Sequence, residues 1–122
     1  MEDILYREII LEHWKNPQNY GIISDADIDI FDNNPLCGDE IRVTAKVNKN
    51  KIIDIKFIAA GCAISKASAS LFTEKIKNMS IAQVQKIVSQ EALEGLEITL
   101  SPTRTKCALL IYSTIQKGLH LL

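Results

Sequence analysis

Apolar and polar residues alternate most regularly in two segments that a short polar connection separates. The apolar positions are Ile41, Val43, Ala45 and Val47 in the first segment, and Ile53, Ile55, Phe57 and Ala59 in the second. A period of two is typical of strands that bury one face. Because only residues 48–51 lie between the two segments, the pattern predicts a β-hairpin and an antiparallel sheet covered on one face.

Helical periodicity occupies most of the remaining chain. It predicts a first helix over residues 3–15, which Asn16-Pro17 ends and whose Trp14 is interpreted as packing, and a second over residues 65–77, rich in small side chains. Ser80 and Gln83 fit a capping box that opens a short helix. Ser101-Pro102 is typical of an N-cap and first helical residue, and apolar spacing continues that helix to Gly118. Residues 90–100 are compatible with a short helical turn or a loop.

A further strand is predicted over residues 26–30, where apolar residues alternate with Asp25, Asp27 and Asp29. We interpret the three carboxylates as a solvated outer face, because they point away from the core.

Composition limits the function classes. The 122 residues are 47% hydrophobic and 24% charged, values that predict one globular domain over residues 1–122. A net charge of -1 without a basic block argues against nucleic-acid binding. The acidic start of the chain differs from a signal peptide, and no apolar run reaches the roughly 18 to 20 residues of a membrane span. We therefore expect a cytosolic protein that binds neither membrane nor nucleic acid.

Three cysteines carry the candidate chemistry. Cys37 precedes the first hairpin strand and Cys62 follows the second, so an antiparallel pairing brings both to one end of the sheet. Cys107 lies shortly after the predicted start of the last helix. Three thiolates with the Asp39 carboxylate would form a four-ligand site of the kind that zinc and iron-sulfur clusters use. The alternative is that the thiols are small buried hydrophobes, which is common for free cysteine.

Two cations flank the third cysteine. The positive charges of Arg104 and Lys106 would favour thiolate over thiol at Cys107, and the alternative is that both are ordinary solvated surface residues. His13 and His120 are interpreted as surface or packing residues.

Three motifs in this order resemble the NifU/IscU/SufU family of iron-sulfur cluster assembly proteins. They are the turn Asn34-Pro35-Leu36-Cys37-Gly38-Asp39, the stretch Gly61-Cys62-Ala63-Ile64-Ser65, and the segment Arg104-Thr105-Lys106-Cys107-Ala108. The resemblance implies the SufE/NifU-type α+β fold. It implies that Cys37, Asp39, Cys62 and Cys107 bind a metal ion or cluster, and that sulfur arrives as a persulfide from a pyridoxal-phosphate cysteine desulfurase of the SufS, IscS or NifS type.

The branches of the family differ in whether the site binds zinc or an iron-sulfur cluster. The IscU branch has a histidine immediately before the third cysteine, where this chain has Lys106, and the motifs are nearer the SufU branch, whose members bind zinc and relay sulfur. SufU proteins usually carry an additional segment between the second and third cysteines, which this chain lacks. The chain also lacks the Leu-Pro-Pro-Val-Lys chaperone-recognition stretch of the IscU branch. Zinc and a transient 2Fe-2S cluster therefore both remain candidates.

Two functions from different classes follow. The first is an iron-sulfur assembly protein that acts as a scaffold or as a zinc-dependent sulfur relay. Its preferred sulfur acceptor is Cys37, and Cys62 and Cys107 are the other reactive thiols. It would supply apo iron-sulfur proteins or carriers downstream. The second is a binding domain in which a purely structural zinc holds the fold together. A thiol oxidoreductase ranks third, because the chain has no Cys-x-x-Cys pair.

Overall fold

The computed structural model describes residues 2–35, 38–94 and 101–122. In chain order the elements are α1 (Glu2–Lys15), β1 (Ile28–Asn34), β2 (Asp39–Asn48), β3 (Lys51–Ala60), α2 (Ala63–Ile76), α3 (Ile81–Gln85), α4 (Ser89–Leu93), α5 (Pro102–Ala108) and α6 (Leu110–His120). The strands form one antiparallel sheet in the order β1-β2-β3. This arrangement confirms the α+β class.

The predicted hairpin is formed by β2 and β3. Lys49 and Asn50 make the two-residue turn, and both have the positive φ that such hairpin turns require. A register shift after Lys46 pairs Val47 with Ile52 instead of Ile53. Ile52 is consequently 1% exposed and Ile53 is 43% exposed, so the simple alternation that placed Ile53 on the buried face is wrong at this position.

The core lies between one face of the sheet and two helices. Residues 41, 43, 55 and 57 of the sheet share a buried cluster with Phe72 and Ile76 of α2 and with Ile111 and Ile115 of α6. The helices α2 and α6 therefore cover the apolar face, as expected for a sheet that is buried on one side. Phe31, on the opposite face, is 59% exposed.

The first helix packs outside this core, against α2. Ile10 is buried in a second cluster with Ile64, Ala67 and Ala108. Among the described residues, α1 packs mainly against α2, and Trp14 remains 41% exposed. The interpretation of Trp14 as a packing residue is therefore wrong.

Two other boundaries differ from the sequence prediction. The strand β1 begins at Ile28 and continues to Asn34, beyond the predicted end at Ile30. The long last helix is interrupted at Leu109, which ends α5 and begins α6. Cys107 therefore lies in the last turn of α5, two residues before the N-cap of α6. Within the described residues, no helix is long and apolar enough to cross a membrane.

Candidate metal and sulfur site

The hairpin delivers two of the predicted residues to one end of the sheet. Asp39 is the first residue of β2 and pairs with Asn34, the last residue of β1. The neighbouring Glu40 pairs with Ala60 at the end of β3, and Cys62 follows two residues later as the N-cap of α2. The pairing of the two strands thus places the Asp39 carboxylate beside the start of α2.

The interruption between α5 and α6 delivers the third residue. Cys107 is 2% exposed, and its Sγ lies 4.0 Å from Asn34 Nδ2. Its backbone carbonyl accepts a hydrogen bond of 3.0 Å from the Ser65 hydroxyl, and the next carbonyl, of Ala108, accepts one of 2.6 Å from Ser68. Two serines of α2 therefore fix the backbone on which the third cysteine stands.

Asp39 is 0% exposed, so its carboxylate needs hydrogen-bond donors in place of water. The backbone N–H of Cys62 donates to Asp39 Oδ1 at 2.8 Å. The Ser65 hydroxyl donates to Oδ2 at 2.5 Å, and Cys62 Sγ lies 3.3 Å from the same oxygen. These contacts hold the carboxylate against the two residues that begin α2.

Gly61 makes this close approach possible. A Cβ at residue 61 would lie 1.9 Å from Asp39 Oδ1 and 2.9 Å from Asp39 Cα. The φ of +137° also belongs to the region that L side chains rarely adopt. Glycine is therefore required at this position both by the backbone conformation and by the space that Asp39 occupies.

The three side chains form one cluster of potential ligands. One ligand atom from each of Asp39, Cys62 and Cys107 lies within 4.8 Å of the others. Neighbouring ligand atoms of a tetrahedral zinc site with two sulfurs and an oxygen are about 3.5–3.8 Å apart. A contraction of about 1 Å would suffice, and the soft thiolates are the donors that zinc and iron-sulfur centres select. The residues present therefore fit such a centre.

The remaining predicted positions divide into three groups. Cys37 lies outside the described residues, and Pro35 and Gly38 on either side of the undescribed pair are exposed. Arg104 and Lys106 are exposed on α5. The acidic residues near β1 bind surface groups: Asp25 and Asp29 pair with Lys46 and Arg42, and Asp27 accepts from the Val47 N–H.

The predicted packing role of one histidine agrees with its contacts. His13 Nδ1 lies 2.6 Å from the Ser70 hydroxyl, which joins the end of α1 to α2. His120 is exposed at the end of α6.

The contacts of Ser65 were not predicted from the sequence, where Ser65 belongs to a motif and the small residues after it indicate a packing surface. The usable signal was the spacing: Ser65 is three residues after Cys62 and three before Ser68, so each side chain neighbours the next along α2. These side chains face Asp39 and the end of α5.

Fold and cluster together define an α+β domain with two thiols and a carboxylate that could hold a metal ion. The family model of the NifU-like N-terminal domain matches residues 5–121. The zinc-dependent sulfurtransferase SufU of Bacillus subtilis is 39% identical over 135 aligned positions, which cover 95% of this chain and 90% of that protein. The iron-sulfur cluster assembly enzyme IscU of Drosophila melanogaster is 34% identical over 119 positions, which cover 94% of this chain and 76% of that protein.

A solved structure extends the agreement to three dimensions. The crystal structure of a candidate iron-sulfur cluster assembly scaffold protein for the SUF system of Fervidobacterium islandicum has a TM-score of 0.78 at 25% identity, and the match covers 98% of this chain and 99% of that chain. The chain belongs to the NifU-like N-terminal domain family. The alignment with SufU is longer than the chain itself, so SufU carries residues that this chain lacks.

Proposed function

We propose that this protein is an iron-sulfur cluster assembly protein that accepts sulfur from a cysteine desulfurase and relays it at a zinc-binding site. The site consists of Cys37, Asp39, Cys62 and Cys107. The observation that carries the proposal is the convergence of Asp39, Cys62 and Cys107 within 4.8 Å in a chain of the NifU-like family. The similarity to a zinc-dependent sulfurtransferase over 95% of the chain supports the choice of zinc.

Each ligand has a role that follows from its setting. Bound zinc would keep the cysteine sulfurs deprotonated. The single carboxylate makes the site more labile than four thiolates would be, which suits a site that must free a thiolate for sulfur transfer. Cys107 is buried and Cys62 is partly exposed, so an incoming protein reaches Cys107 less easily than Cys62. Cys37 is the proposed first acceptor, because the sequence places it between Pro35 and Gly38, two residues before Asp39.

The transfer step moves one sulfur atom without net oxidation. The Cys37 thiolate attacks the terminal sulfur of the donor's persulfide, and a new S–S bond forms on Cys37. The S–S bond of the donor breaks, and the donor cysteine leaves as a thiolate. Sulfur then passes to apo iron-sulfur proteins or carriers. The reducing cytosol is the compartment that we propose, because it would keep the thiols of the site available for this exchange.

A scaffold for a transient 2Fe-2S cluster is the second candidate. One support is the similarity to an IscU enzyme over 94% of the chain. A second is that this chain lacks residues that SufU has, since the alignment with SufU spans 135 positions and the chain has 122 residues. Iron-sulfur clusters use the same thiolate ligands. A purely structural zinc is the competing function from another class.

The decisive experiment combines the protein anaerobically with a cysteine desulfurase and cysteine, with a reductant when turnover is measured and without a reductant when the mass of the chain is measured. We expect desulfurase turnover to rise and a mass increase of one sulfur to appear on this chain. Cys37→Ala should abolish both effects while leaving the urea midpoint of the zinc-free protein within error, because a chain of 122 residues can fold on its own core.

Three outcomes separate the candidates. An iron-dependent cluster spectrum without stimulated turnover would identify a scaffold. A Cys37→Ala protein that loses its zinc and unfolds would identify a structural zinc. A wild-type chain that binds neither zinc nor iron and accepts no sulfur would contradict the proposed function as a whole.

A further inference from the structure

Two serines of α2 make equivalent contacts to the backbone that follows Cys107. Ser65 and Ser68 are one helical turn apart and both are buried. Ser65 donates to the carbonyl of Cys107 at 3.0 Å, and Ser68 donates to the carbonyl of Ala108 at 2.6 Å. Both hydroxyls thus lie within hydrogen-bond distance of carbonyls at the end of α5, where the helix can no longer supply donors.

Only one of these serines also contacts the candidate ligands. The Ser65 hydroxyl lies 2.5 Å from Asp39 Oδ2, half an ångström closer than it lies to the Cys107 carbonyl. A hydroxyl carries a single proton, so it donates mainly to one acceptor at a time. The shorter distance and the charge of a carboxylate assign that proton mainly to Asp39.

The two oxygens of Asp39 have different surroundings. Oδ1 is held by the Cys62 N–H and lies where a side chain at Gly61 would stand. Oδ2 lies 3.3 Å from Cys62 Sγ, on the side of the thiol cluster. Oδ2 is therefore the oxygen placed to bind a metal together with the two sulfurs.

We infer that Ser65 is a positioning residue for the metal site, which aims Asp39 Oδ2 at the thiols and ties it to the backbone of Cys107. This inference rests on the proposed function only in taking Asp39, Cys62 and Cys107 as ligands. Residues that bind metal ligands in this way fix the orientation of the ligand, and their loss typically lowers metal affinity by about 10–100-fold.

The test measures zinc affinity of the purified chain by competition with a chromogenic chelator. We expect Ser65→Ala to weaken zinc binding about tenfold or more. Ser68→Ala is the matched control, because it removes the same kind of buried hydroxyl-to-carbonyl bond from the same helix without touching Asp39. We expect Ser68→Ala to stay within about twofold of the wild type. Alanine favours helix, so both variants keep the backbone of α2.

A double-mutant cycle separates positioning from a general structural effect. In an Asp39→Ala background, Ser65→Ala should change zinc affinity by less than about twofold, because the ligand on which Ser65 acts is gone. Cobalt in place of zinc should show altered visible absorption bands at saturation in Ser65→Ala and unaltered bands in Ser68→Ala.

The outcomes are distinguishable from failure of the proposed function. A wild-type chain that binds no zinc or cobalt would overturn the proposed metal site itself. A wild-type chain that binds metal, with equal losses in Ser65→Ala and Ser68→Ala or the same loss in both backgrounds, would overturn only the positioning role. A Ser65→Ala chain that fails to fold while Ser68→Ala folds would assign Ser65 to the fold and also overturn it.

Discussion

The two ends of the β2–β3 hairpin are built in different ways. At the turn end, Ile52 is buried, its N–H donates to the Met79 carbonyl, and its carbonyl accepts from the Asn78 N–H. Apolar side chains and backbone hydrogen bonds account for this region. At the site end, the same two strands lead to a buried carboxylate that is held by Ser65 and by the backbone of Cys62.

The difference concerns what each end contributes. Burial of apolar area stabilises the turn end, whereas burial of the Asp39 carboxylate costs free energy that its hydrogen bonds must offset. Networks of this kind are retained where they fix a specific geometry. We conclude that the turn end provides stability, and that part of this stability offsets the cost of holding the Asp39 carboxylate in a fixed position.

The largest effect should come from the turn end. Ile52→Ala removes a fully buried side chain and should lower the free energy of unfolding by about 2–5 kcal/mol, measured by urea denaturation of the zinc-free protein. Ile53→Ala is the matched control, since Ile53 is 43% exposed, and it should cost about 1 kcal/mol or less.

Added zinc tests whether the turn end and the site end of the hairpin are independent. Ile52 and Ala60 are eight residues apart on β3, about 26 Å at the usual rise of a strand, so the two ends should act independently. Added zinc should therefore stabilise Ile52→Ala and the wild type by the same increment. Equal losses in Ile52→Ala and Ile53→Ala would contradict the register described above.

A smaller loss of stability, combined with a loss of zinc affinity, should come from Gly61→Ala. The backbone conformation alone should cost about 1–3 kcal/mol. The new Cβ would also displace Asp39, so zinc affinity should fall by about tenfold or more in a chelator competition.

Gly21 offers the matched control for that variant. Its φ of +143° is close to that of Gly61, but a Cβ there would meet only Lys56 Cδ at 3.5 Å. Gly21→Ala should therefore lose a similar amount of stability and keep its zinc affinity. Loss of zinc affinity in both variants would mean that backbone strain, and not displacement of Asp39, is responsible.

The sheet was predictable because its pattern is local. Alternation over residues 41–47 identified the inward side chains of β2, and Ser80 with Gln83 identified the capping box of α3, which the structure contains. Ile53 was misassigned because the register shift after Lys46 depends on how two strands pair, which a single-strand pattern does not encode. Similarly, the break at Leu109 has no Gly or Pro to mark it.

The sequence predicted the thiols and the carboxylate of the candidate site, but it did not predict the residue that holds the carboxylate in place. The hairpin argument predicted that Cys37 and Cys62 meet; Cys37 lies outside the described residues, and Asp39, two residues after it, contacts Cys62. Ser65 was missed because its partners, Asp39 and the carbonyl of Cys107, are far from it in sequence and one of them is backbone. Contacts of a side chain to a backbone carbonyl leave no residue type to recognise.

A surface ion pair between Lys117 and Asp32 joins α6 to β1 near the site end. Lys117 of α6 donates to Asp32 of β1 at 2.7 Å, with the Lys117 side chain 62% exposed. Burial alone would raise the pKa of Asp32, but the hydrogen bond from Lys117, helped by the Asn33 N–H, outweighs it and holds the pKa below its ordinary value of 3.8. A lowered pKa in the folded state means that the pair stabilises the fold above about pH 4 and that this contribution is lost as the pH falls.

The expected effect is the smallest of the series. Lys117→Ala should lower the free energy of unfolding at pH 7 and low salt by about 0.2–1 kcal/mol, because solvent and ions screen an exposed pair. In a cycle with Asp32→Asn, the coupling should shrink in 1 M salt, where the Debye length is about 3 Å, and on titration below pH 4. A coupling that persists under both conditions would show that packing, and not charge, joins β1 to α6. Zinc affinity should be unchanged throughout, because surface charge is not what positions Asp39.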